Sequence, residues 1–304
     1  MASWTRRALL GAGASALLAP SLARAQPPRR SRLVLLGTKG GPTPSRFRAP
    51  ASCLLVVDDE PYVIDAPDGV ASRLVLAGMD LARLRNVFIT HHHSDHNAGL
   101  GALLILAWGS GLQTPVDIYG PAPLERLVAA HLAASAYDIQ VRMDEEGRPP
   151  LVPLVHPHEI ANGPVMANGK VSVRCARADH YHAVDFAYRF DTPDRSFVFS
   201  GDTRPSEALI ELARGAEVLV HEAMLESALR TITDGNAPRL MDHLLRSHTT
   251  TEELGRVAQA AGVGTLVLSH LVPASPNLTD EMWIEGVRRH YRGRIVVGRD
   301  GMEI

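Results

Sequence analysis

The side chains best suited to chemistry lie in one short stretch, His91–His96, which reads His-His-His-Ser-Asp-His. An apolar segment at 86–90 precedes it and another at 99–107 follows, which predicts a strand before the stretch and a helix after it. Imidazole and carboxylate groups gathered at one turn suit Zn²⁺ or a similar divalent ion. A histidine-rich surface loop is the alternative, but the position between strand and helix favours a metal site.

Three further residues of ligand type stand at the ends of later apolar segments. His180 ends an alternating stretch, Asp202 follows Phe-Val-Phe-Ser-Gly, and His270 follows Leu-Val-Leu-Ser. Taken singly, His180 could be a turn histidine with His182 as its rival, and the other two could be helix caps. Because one cluster cannot fill two coordination shells, the three together predict that later strand ends complete the site.

The elements that must position these residues are predicted from hydrophobic periodicity and turn signals. Strands are predicted at 33–36, 52–57, 62–65, 86–90, 116–119, 171–176, 183–190, 196–200, 218–220, 265–269 and 295–297. Helices are predicted at 70–77, 99–107, 123–137, 207–214, 251–261 and 279–291, with an irregular, Pro- and Gly-rich stretch at 138–169. Strands come first in runs and then alternate with helices, which predicts an α/β protein with two helix-covered sheets.

The composition of the 304 residues is that of a globular protein and argues against two other classes, basic nucleic-acid binders and disulfide scaffolds. Hydrophobic residues make up 45% and charged residues 21%, which is an ordinary globular balance. The formal charge of −2 shows no basic excess of the kind that nucleic-acid binders carry. Two cysteines, Cys53 and Cys175, are too few for a disulfide scaffold. Two separate buried thiols are expected, with a bridge as the alternative.

The pattern His91-x-His93-x-Asp95-His96, followed by His180, Asp202 and His270, resembles the metallo-β-lactamase superfamily across residues 32–304. The resemblance implies a four-layer αββα sandwich of the α/β class with two divalent metal ions at the sheet edges. Zinc is the expected metal, and manganese or iron is compatible with the same ligands. By that resemblance one ion is held by His91, His93 and His180, the other by Asp95, His96 and His270, with Asp202 bridging and His92 pointing away.

Four shorter segments resemble the ribonuclease Z and periplasmic arylsulfatase-like branch of that superfamily: Leu36-Gly37-Thr38, Phe199–Thr203, His221-Glu222-Ala223 and Ser247–Thr250. In that branch the histidine matching His248 lies over the metals and assists the scissile oxygen, with the Glu222 position nearby. The resemblance therefore implies that the catalytic residues are His248, Glu222 and Asp95. From the residues alone, His248 could instead be a helix-start residue, and His221 a strand end.

Two features depart from the branch. Pro67 stands where the family usually has a glycine, in a loop beneath the site. The arm-like segment 138–170 contains Asp144-Glu145-Glu146 and few strong bases. Because binding a phosphate backbone requires several cations, this segment predicts that nucleic acid is not a partner.

The sequence therefore predicts an exported, metal-dependent hydrolase of small phosphodiesters or sulfate esters, in which two divalent ions activate water. The expected partner is a small-molecule substrate, without stable membrane association, and a homodimer is left open. A lactonase or β-lactamase-type acyl hydrolase is the alternative, ranked second because those branches often lack a histidine in the role of His248. A non-catalytic metal-binding scaffold ranks third, since the ligand set is complete.

Residues 1–25 have the composition of an export signal that is removed from the mature protein. Arg6-Arg7 directly precedes an apolar run, and Ala23-x-Ala25 is a cleavage pattern. The arginine pair favours the twin-arginine route, with a Sec signal or an uncleaved anchor as the alternative. A linker at 26–31 and one hydrolase domain at 32–304 are expected to follow, which predicts a periplasmic protein.

Replacing Arg6 and Arg7 together with lysine is expected to stop export, because the arginine pair is the feature that marks the twin-arginine route. Cell fractionation with immunoblotting measures the periplasmic share of the protein. The same change at Arg29 and Arg30, in the predicted linker, is the matched control and should leave export intact. Unchanged delivery of the Arg6/Arg7 variant would assign the protein to another route.

Overall fold

The computed structural model of the chain describes Met1, residues 30–231 and residues 237–304. The predicted signal at 1–25, except Met1, and most of the predicted linker at 26–31 therefore lie outside the described residues. Within the described ranges, no helix combines the length and the apolar character needed to cross a lipid bilayer. These residues form two sheets with helices on their outer faces, which confirms the predicted α/β sandwich.

The first sheet has six strands and comes from the N-terminal half of the described chain. In spatial order they are β1 (Ser31–Gly37), β2 (Ser52–Val57), β3 (Glu60–Ile64), β4 (Asn86–Phe88), β5 (Val116–Gly120) and β6 (Val155–Glu159). β1, β2 and β3 pair antiparallel, whereas β3 to β6 run parallel. The parallel strands therefore end at one common edge, where β4 leads into the histidine cluster.

The second sheet has seven strands, whose spatial order follows the chain. They are β7 (Gly163–Ala167), β8 (Ser172–His180), β9 (Ala183–Asp191), β10 (Ser196–Phe199), β11 (Val218–Met224), β12 (Thr265–Val272) and β13 (Arg294–Val297). β7 to β10 pair antiparallel, and β10 to β13 run parallel. The second sheet thus also has a parallel half, whose strands end together.

Helices fill the connections of both sheets. The first half of the chain contributes α1 (Val70–Leu76), α2 (Ser94–Asn97), α3 (Leu100–Gly109), α4 (Leu124–Ala134) and α5 (Ala136–Glu146). The second half contributes α6 (Glu207–Ala213), α7 (Leu240–Ser247), α8 (Thr251–Ala261) and α9 (Asp280–Arg288). α8 has the predicted bounds because Thr250 and Glu253 form a capping box and Gly262 ends it in the left-handed conformation.

Side chains on β1 show how the layers form. Leu33 and Leu35 are buried between the two sheets, whereas Val34 and Leu36 face the helices. Because successive side chains of a strand point to opposite faces, a strand buried on both faces is apolar throughout. Aromatic rings help to fill the layer between the sheets, as where Phe88 and Phe190 meet edge to face with centroids 4.9 Å apart.

The segment 138–169 forms regular secondary structure, whereas the sequence predicted an irregular stretch there. It contains most of α5, then β6 in the first sheet and β7 in the second. The prediction failed because α5 buries only Ile139 and the edge strand β6 exposes His156 and His158, so neither shows clear apolar periodicity. The single helix predicted at 123–137 is likewise two helices, α4 and α5.

Cys53 and Cys175 are buried and unbonded, as expected from the sequence. Burial raises the pKa of the Cys53 thiol well above its ordinary value and that of Cys175 to about 11. Since the thiolate is the reactive form, neither is expected to react with Ellman's reagent at pH 8 in the folded protein. Both should react after unfolding in urea. Rapid reaction of either thiol in the folded protein would contradict the burial seen here.

Candidate metal centre

The predicted ligands lie where strands of both sheets end, on one rim of the sandwich. Asp202 follows β10 after a turn at Gly201, whose φ is 62° and where a Cβ would lie 2.1 Å from the Asp185 carboxylate. His270 is the extra residue of a β-bulge in β12, with φ 42°, between the pairs formed by Ser269 and Leu271 with β11. Bulges redirect side chains, and this one presents His270 to the rim.

The first predicted ligand set is assembled as expected. His91, His93, His180 and Asp202 each offer an atom within 4.8 Å of the atoms offered by the others. His93 Nδ1 lies 3.1 Å from His91 Nε2 and 3.2 Å from His180 Nε2. Ligand atoms of a tetrahedral Zn²⁺ stand ~3.3 Å apart for bonds of ~2.0–2.1 Å, so these nitrogens are spaced as ligands of one ion.

The second set shares Asp202 with the first. His270 Nε2 lies 3.4 Å from Asp95 Oδ2 and 3.2 Å from Asp202 Oδ2. His96 Nε2 lies 3.7 Å from Asp95 Oδ2 and 3.5 Å from Asp202 Oδ1. The structure therefore brings all seven sequence-predicted ligands together in the two predicted sets, with Asp202 between them. Their binding of metal stays a prediction.

Two buried atoms in the ligand cluster show whether a cation would fit between the ligands. His96 Nε2 and Asp202 Oδ1 face each other across 3.5 Å, yet neither has a hydrogen-bond partner within the described part of the chain. An unsatisfied buried polar atom costs about 1–3 kcal/mol. A divalent cation would satisfy both atoms, and the imidazole and carboxylate donors suit zinc, manganese or iron. The residues present therefore fit the predicted ions.

Two buried carboxylates orient the histidines from behind. Asp65 Oδ2 lies 2.8 Å from His96 Nδ1, and Asp65 Oδ1 accepts a hydrogen bond from the Thr90 backbone at 2.8 Å. Asp185 Oδ2 lies 2.8 Å from His91 Nδ1 and accepts from the Asp202 backbone at 3.0 Å. Such partners fix the tautomer and ring orientation of metal-binding histidines. Neither role was predicted from the sequence; an acidic residue alone in an apolar strand was the available signal.

The charges of the site favour a cation. Burial lowers the pKa of His91 well below its ordinary value and that of His180 to about 4, which keeps both imidazoles neutral and able to bind metal. Burial also opposes ionisation of Asp202, but His270 and His96 hold its pKa well below the usual range. Although burial favours neutral His96, Asp202 and Asp65 keep its pKa well above normal. A proton on His96 thus supplies charge that a bound cation would replace.

The predicted catalytic pair is also assembled. His248 Nδ1 lies 2.9 Å from Glu222 Oε1, which also accepts a hydrogen bond from the Thr203 backbone at 2.8 Å. Burial would lower the pKa of His248, but the Glu222 carboxylate raises it to about 9. His248 ends α7 in an extended conformation, and Thr250 caps α8. The helix-start interpretation of His248 is therefore wrong.

Three other residues discussed above lie apart from the ligand sets. His92 turns away, with Nε2 2.8 Å from the carbonyl oxygen of Pro121. His182 is exposed in the β8–β9 hairpin, so it does not take the place of His180. His221 is buried within β11, which continues to Met224, so it is not the strand end considered from the sequence; its Nδ1 lies 2.7 Å from the carbonyl oxygen of Glu222.

A cavity of about 440 Å³ opens beside the ligands. One wall is the loop Lys39–Thr43, and another is α7, an element that sequence analysis did not predict. α7 places His243 in this wall, with its ring centroid 5.7 Å from that of His248. Leu240 and Leu244, four residues apart, were the available signal for this helix.

The chain is similar to known proteins both in sequence and in structure. Residues 62–271 match the family described as the beta-lactamase superfamily domain. A protein of Mycobacterium avium (strain 104) named ribonuclease Z is 36% identical over 272 residues, 88% of this chain and 95% of that protein. Structurally, the metallo-beta-lactamase fold protein YhfI from Bacillus subtilis aligns with a TM-score of 0.66 at 19% identity, over 90% of this chain and 98% of that one. Human tRNase Z, short form, gives 0.63 at 21% identity over the same shares.

The prediction that nucleic acid is not a partner is wrong. The mycobacterial relative that matches 88% of this chain is named ribonuclease Z, and the human structural neighbour is named a tRNase. The prediction treated 138–170 as an arm, whereas these residues form α5, β6 and β7 in the body of the sandwich. The acidic side chains of α5 therefore do not belong to an arm that would hold RNA, and their charge is no argument against RNA binding.

Asp65→Ala is expected to weaken zinc binding by about 10–100-fold, because His96 loses the carboxylate that orients its ring. Competition with a chromogenic chelator measures the affinity, and circular dichroism checks the fold. Asp68→Ala, at an exposed position in the same loop, is the matched control and should bind zinc normally. Equal affinity in the two variants would show that Asp65 does not support the site.

Proposed function

The chain belongs to the metallo-β-lactamase superfamily, in its ribonuclease Z branch, and we propose that it is a metal-dependent phosphodiesterase that acts on RNA. The observation that carries this proposal beyond metal binding is the buried Glu222–His248 pair at the edge of the ligand cluster. A site that only bound metal would not need it. The name of the mycobacterial relative supports RNA as the phosphodiester.

Each ligand set would hold one divalent ion, with zinc expected first. Such ions lower the pKa of bound water and polarise the oxygen atoms of the substrate. The protein's own part is to fix the donors: Asp185 orients His91, Asp65 orients His96, and Asp202 joins the two sets. Asp95 serves here as a ligand, and its additional catalytic role stays a prediction.

His248 is the candidate proton donor. Because its Nδ1 is held by Glu222, Nε2 is the nitrogen left for a substrate. His248 also offers a nitrogen within 4.8 Å of the ligand atoms of Asp202 and His270, so the imidazole borders the metal site. The imidazolium form, favoured by Glu222, can give a proton to the oxygen that leaves phosphorus. Glu222 acts through His248 and is a positioning residue.

The leaving group explains why such a donor is needed. Hydrolysis of RNA releases a ribose oxygen, a strongly basic alkoxide, and general acid catalysis avoids forming it. A lactonase or β-lactamase-type enzyme remains the alternative, but no contact of the described residues favours it over a phosphodiesterase. Small phosphodiesters and sulfate esters present a similar tetrahedral centre and serve as comparison substrates. Export by the twin-arginine route, with cleavage after Ala25, remains part of the proposal and rests on residues 1–25.

His248→Ala is expected to retain about two divalent ions per chain, as for a two-metal site, while kcat for RNA falls by roughly 10²–10⁴. With bis(4-nitrophenyl) phosphate the loss should be smaller, because 4-nitrophenolate leaves without a proton. Elemental analysis and steady-state kinetics measure the two effects. His182→Ala, an exposed histidine outside both ligand sets, is the control and should match the wild type.

The same panel includes 4-nitrophenyl sulfate, a lactone and a β-lactam. Hydrolysis of the lactone or β-lactam, with no activity on any phosphodiester, would replace the proposal with the acyl-hydrolase alternative. A His248→Ala variant with full activity on RNA would show that the Glu222–His248 pair is structural. Loss of metal together with activity would show that His248 belongs to the ligands.

A further inference from the structure

Helix α7 presents two polar side chains, His243 and Ser247, on the face turned toward the protein. Leu240, His243, Leu244 and Ser247 share the i, i+3, i+4, i+7 spacing of a single helix face. Leu244 packs with Met224 and Val272, so this face is turned toward the protein. A histidine among these packed positions is directed at the neighbouring site rather than at bulk solvent.

The ring of His243 stands opposite part of the predicted metal centre. Its centroid lies 5.9 Å from that of His180, 6.3 Å from that of His93 and 5.7 Å from that of His248. His243 is half-buried and lines the same open cavity as His93 and His248. A substrate group bound between the ligand sets and α7 would therefore meet His243 and His248 together.

Ser247 engages one ring nitrogen of His243 and leaves the other free of that contact. Its hydroxyl oxygen lies 3.1 Å from His243 Nδ1, and Ser247 is fully buried. A serine hydroxyl can donate to Nδ1 or accept from it, because the ring tautomer sets the two roles. When Ser247 donates, the neutral imidazole carries its own hydrogen on Nε2, which is the tautomer that suits an anionic ligand. Nε2 forms no hydrogen bond to the described residues and is available as a donor in the cavity.

We propose that His243 is a substrate-binding residue whose Nε2–H donates a hydrogen bond to a non-bridging oxygen of the phosphoryl group. The proposal rests on the proposed function and adds a specificity element to it. His248 would serve the leaving oxygen, while His243 would hold an oxygen on the side of His93 and His180. A tetrahedral oxyanion offers oxygens to both donors, so the two imidazoles select phosphoryl or sulfuryl esters over planar acyl groups.

The same geometry gives Ser247 an indirect role. Without the Ser247 hydroxyl, His243 can place its hydrogen on Nδ1 and present an acceptor to the substrate. A lone pair on Nε2 of His243 would then repel the anionic oxygen of the substrate. Ser247 is thus a positioning residue for His243. The backbone carbonyl oxygen of Ser247 also lies 3.2 Å from His180 Nδ1. The same residue of α7 therefore contacts both His243 and the predicted ligand His180.

The test uses inorganic phosphate as a probe of the zinc-loaded protein, read by isothermal titration calorimetry. His243→Ala is expected to weaken phosphate binding by about tenfold, the loss of one hydrogen bond to a charged group. His243→Gln, which keeps an N–H donor, should retain most of the affinity. Leu245→Ala, at an exposed position of the same helix, is the matched control and should bind phosphate like the wild type. Zinc content should equal that of the wild type in all three variants.

Kinetics with a phosphodiester separate binding from chemistry. His243→Ala should raise KM more than it lowers kcat, whereas His248→Ala should lower kcat. Wild-type phosphate affinity in His243→Ala would overturn the inference, as would equal loss in the glutamine and alanine variants with zinc retained. If the wild type cleaves no phosphodiester while phosphate binding still depends on His243, the proposed function fails and the oxyanion site stands. If His248→Ala behaves as proposed but His243→Ala binds phosphate normally, only this inference fails.

Discussion

At the rim of the sandwich the carboxylate of Asp202 is buried between the imidazoles of His91, His96 and His270. A buried carboxylate is stable only when charges or hydrogen bonds compensate the loss of water. The backbone of Asp202 is itself held by Asp185. Imidazoles delivered by both sheets therefore meet at this carboxylate and compensate its buried negative charge.

The fold brings these imidazoles to Asp202 because parallel strands of both sheets end at the same rim. β4 delivers the histidine cluster, β10 delivers Asp202 and β12 delivers His270 to the same rim. The backbone there is specialised: Gly201 turns with positive φ where a Cβ would strike Asp185, and His270 occupies a bulge. The positive φ of His270 strains a residue that has a Cβ, and strain of this kind persists where surrounding structure enforces it, often at functional sites.

The same rim carries chemistry beyond metal binding because α7 covers it. α7 ends at His248, which Glu222 holds from β11, and its inner face carries His243. One short helix therefore contributes the imidazole proposed for the leaving oxygen and the one proposed for a non-bridging oxygen. A phosphodiester, with both kinds of oxygen on one phosphorus atom, matches this arrangement better than a planar acyl group does.

The predicted ligands and the layers could be found from the sequence, because each depends on a local pattern of residues. Polar ligand types at the ends of apolar strands identified Asp202 and His270, and periodicity identified most strands and the helix at 251–261. The side chains that support the predicted ligands become visible in the folded structure alone. Asp65 reaches His96 and Asp185 reaches His91 across long stretches of chain, and such contacts leave no local pattern. α5 and β6 escaped prediction for a related reason: packing against distant elements, rather than their own periodicity, fixes their conformation.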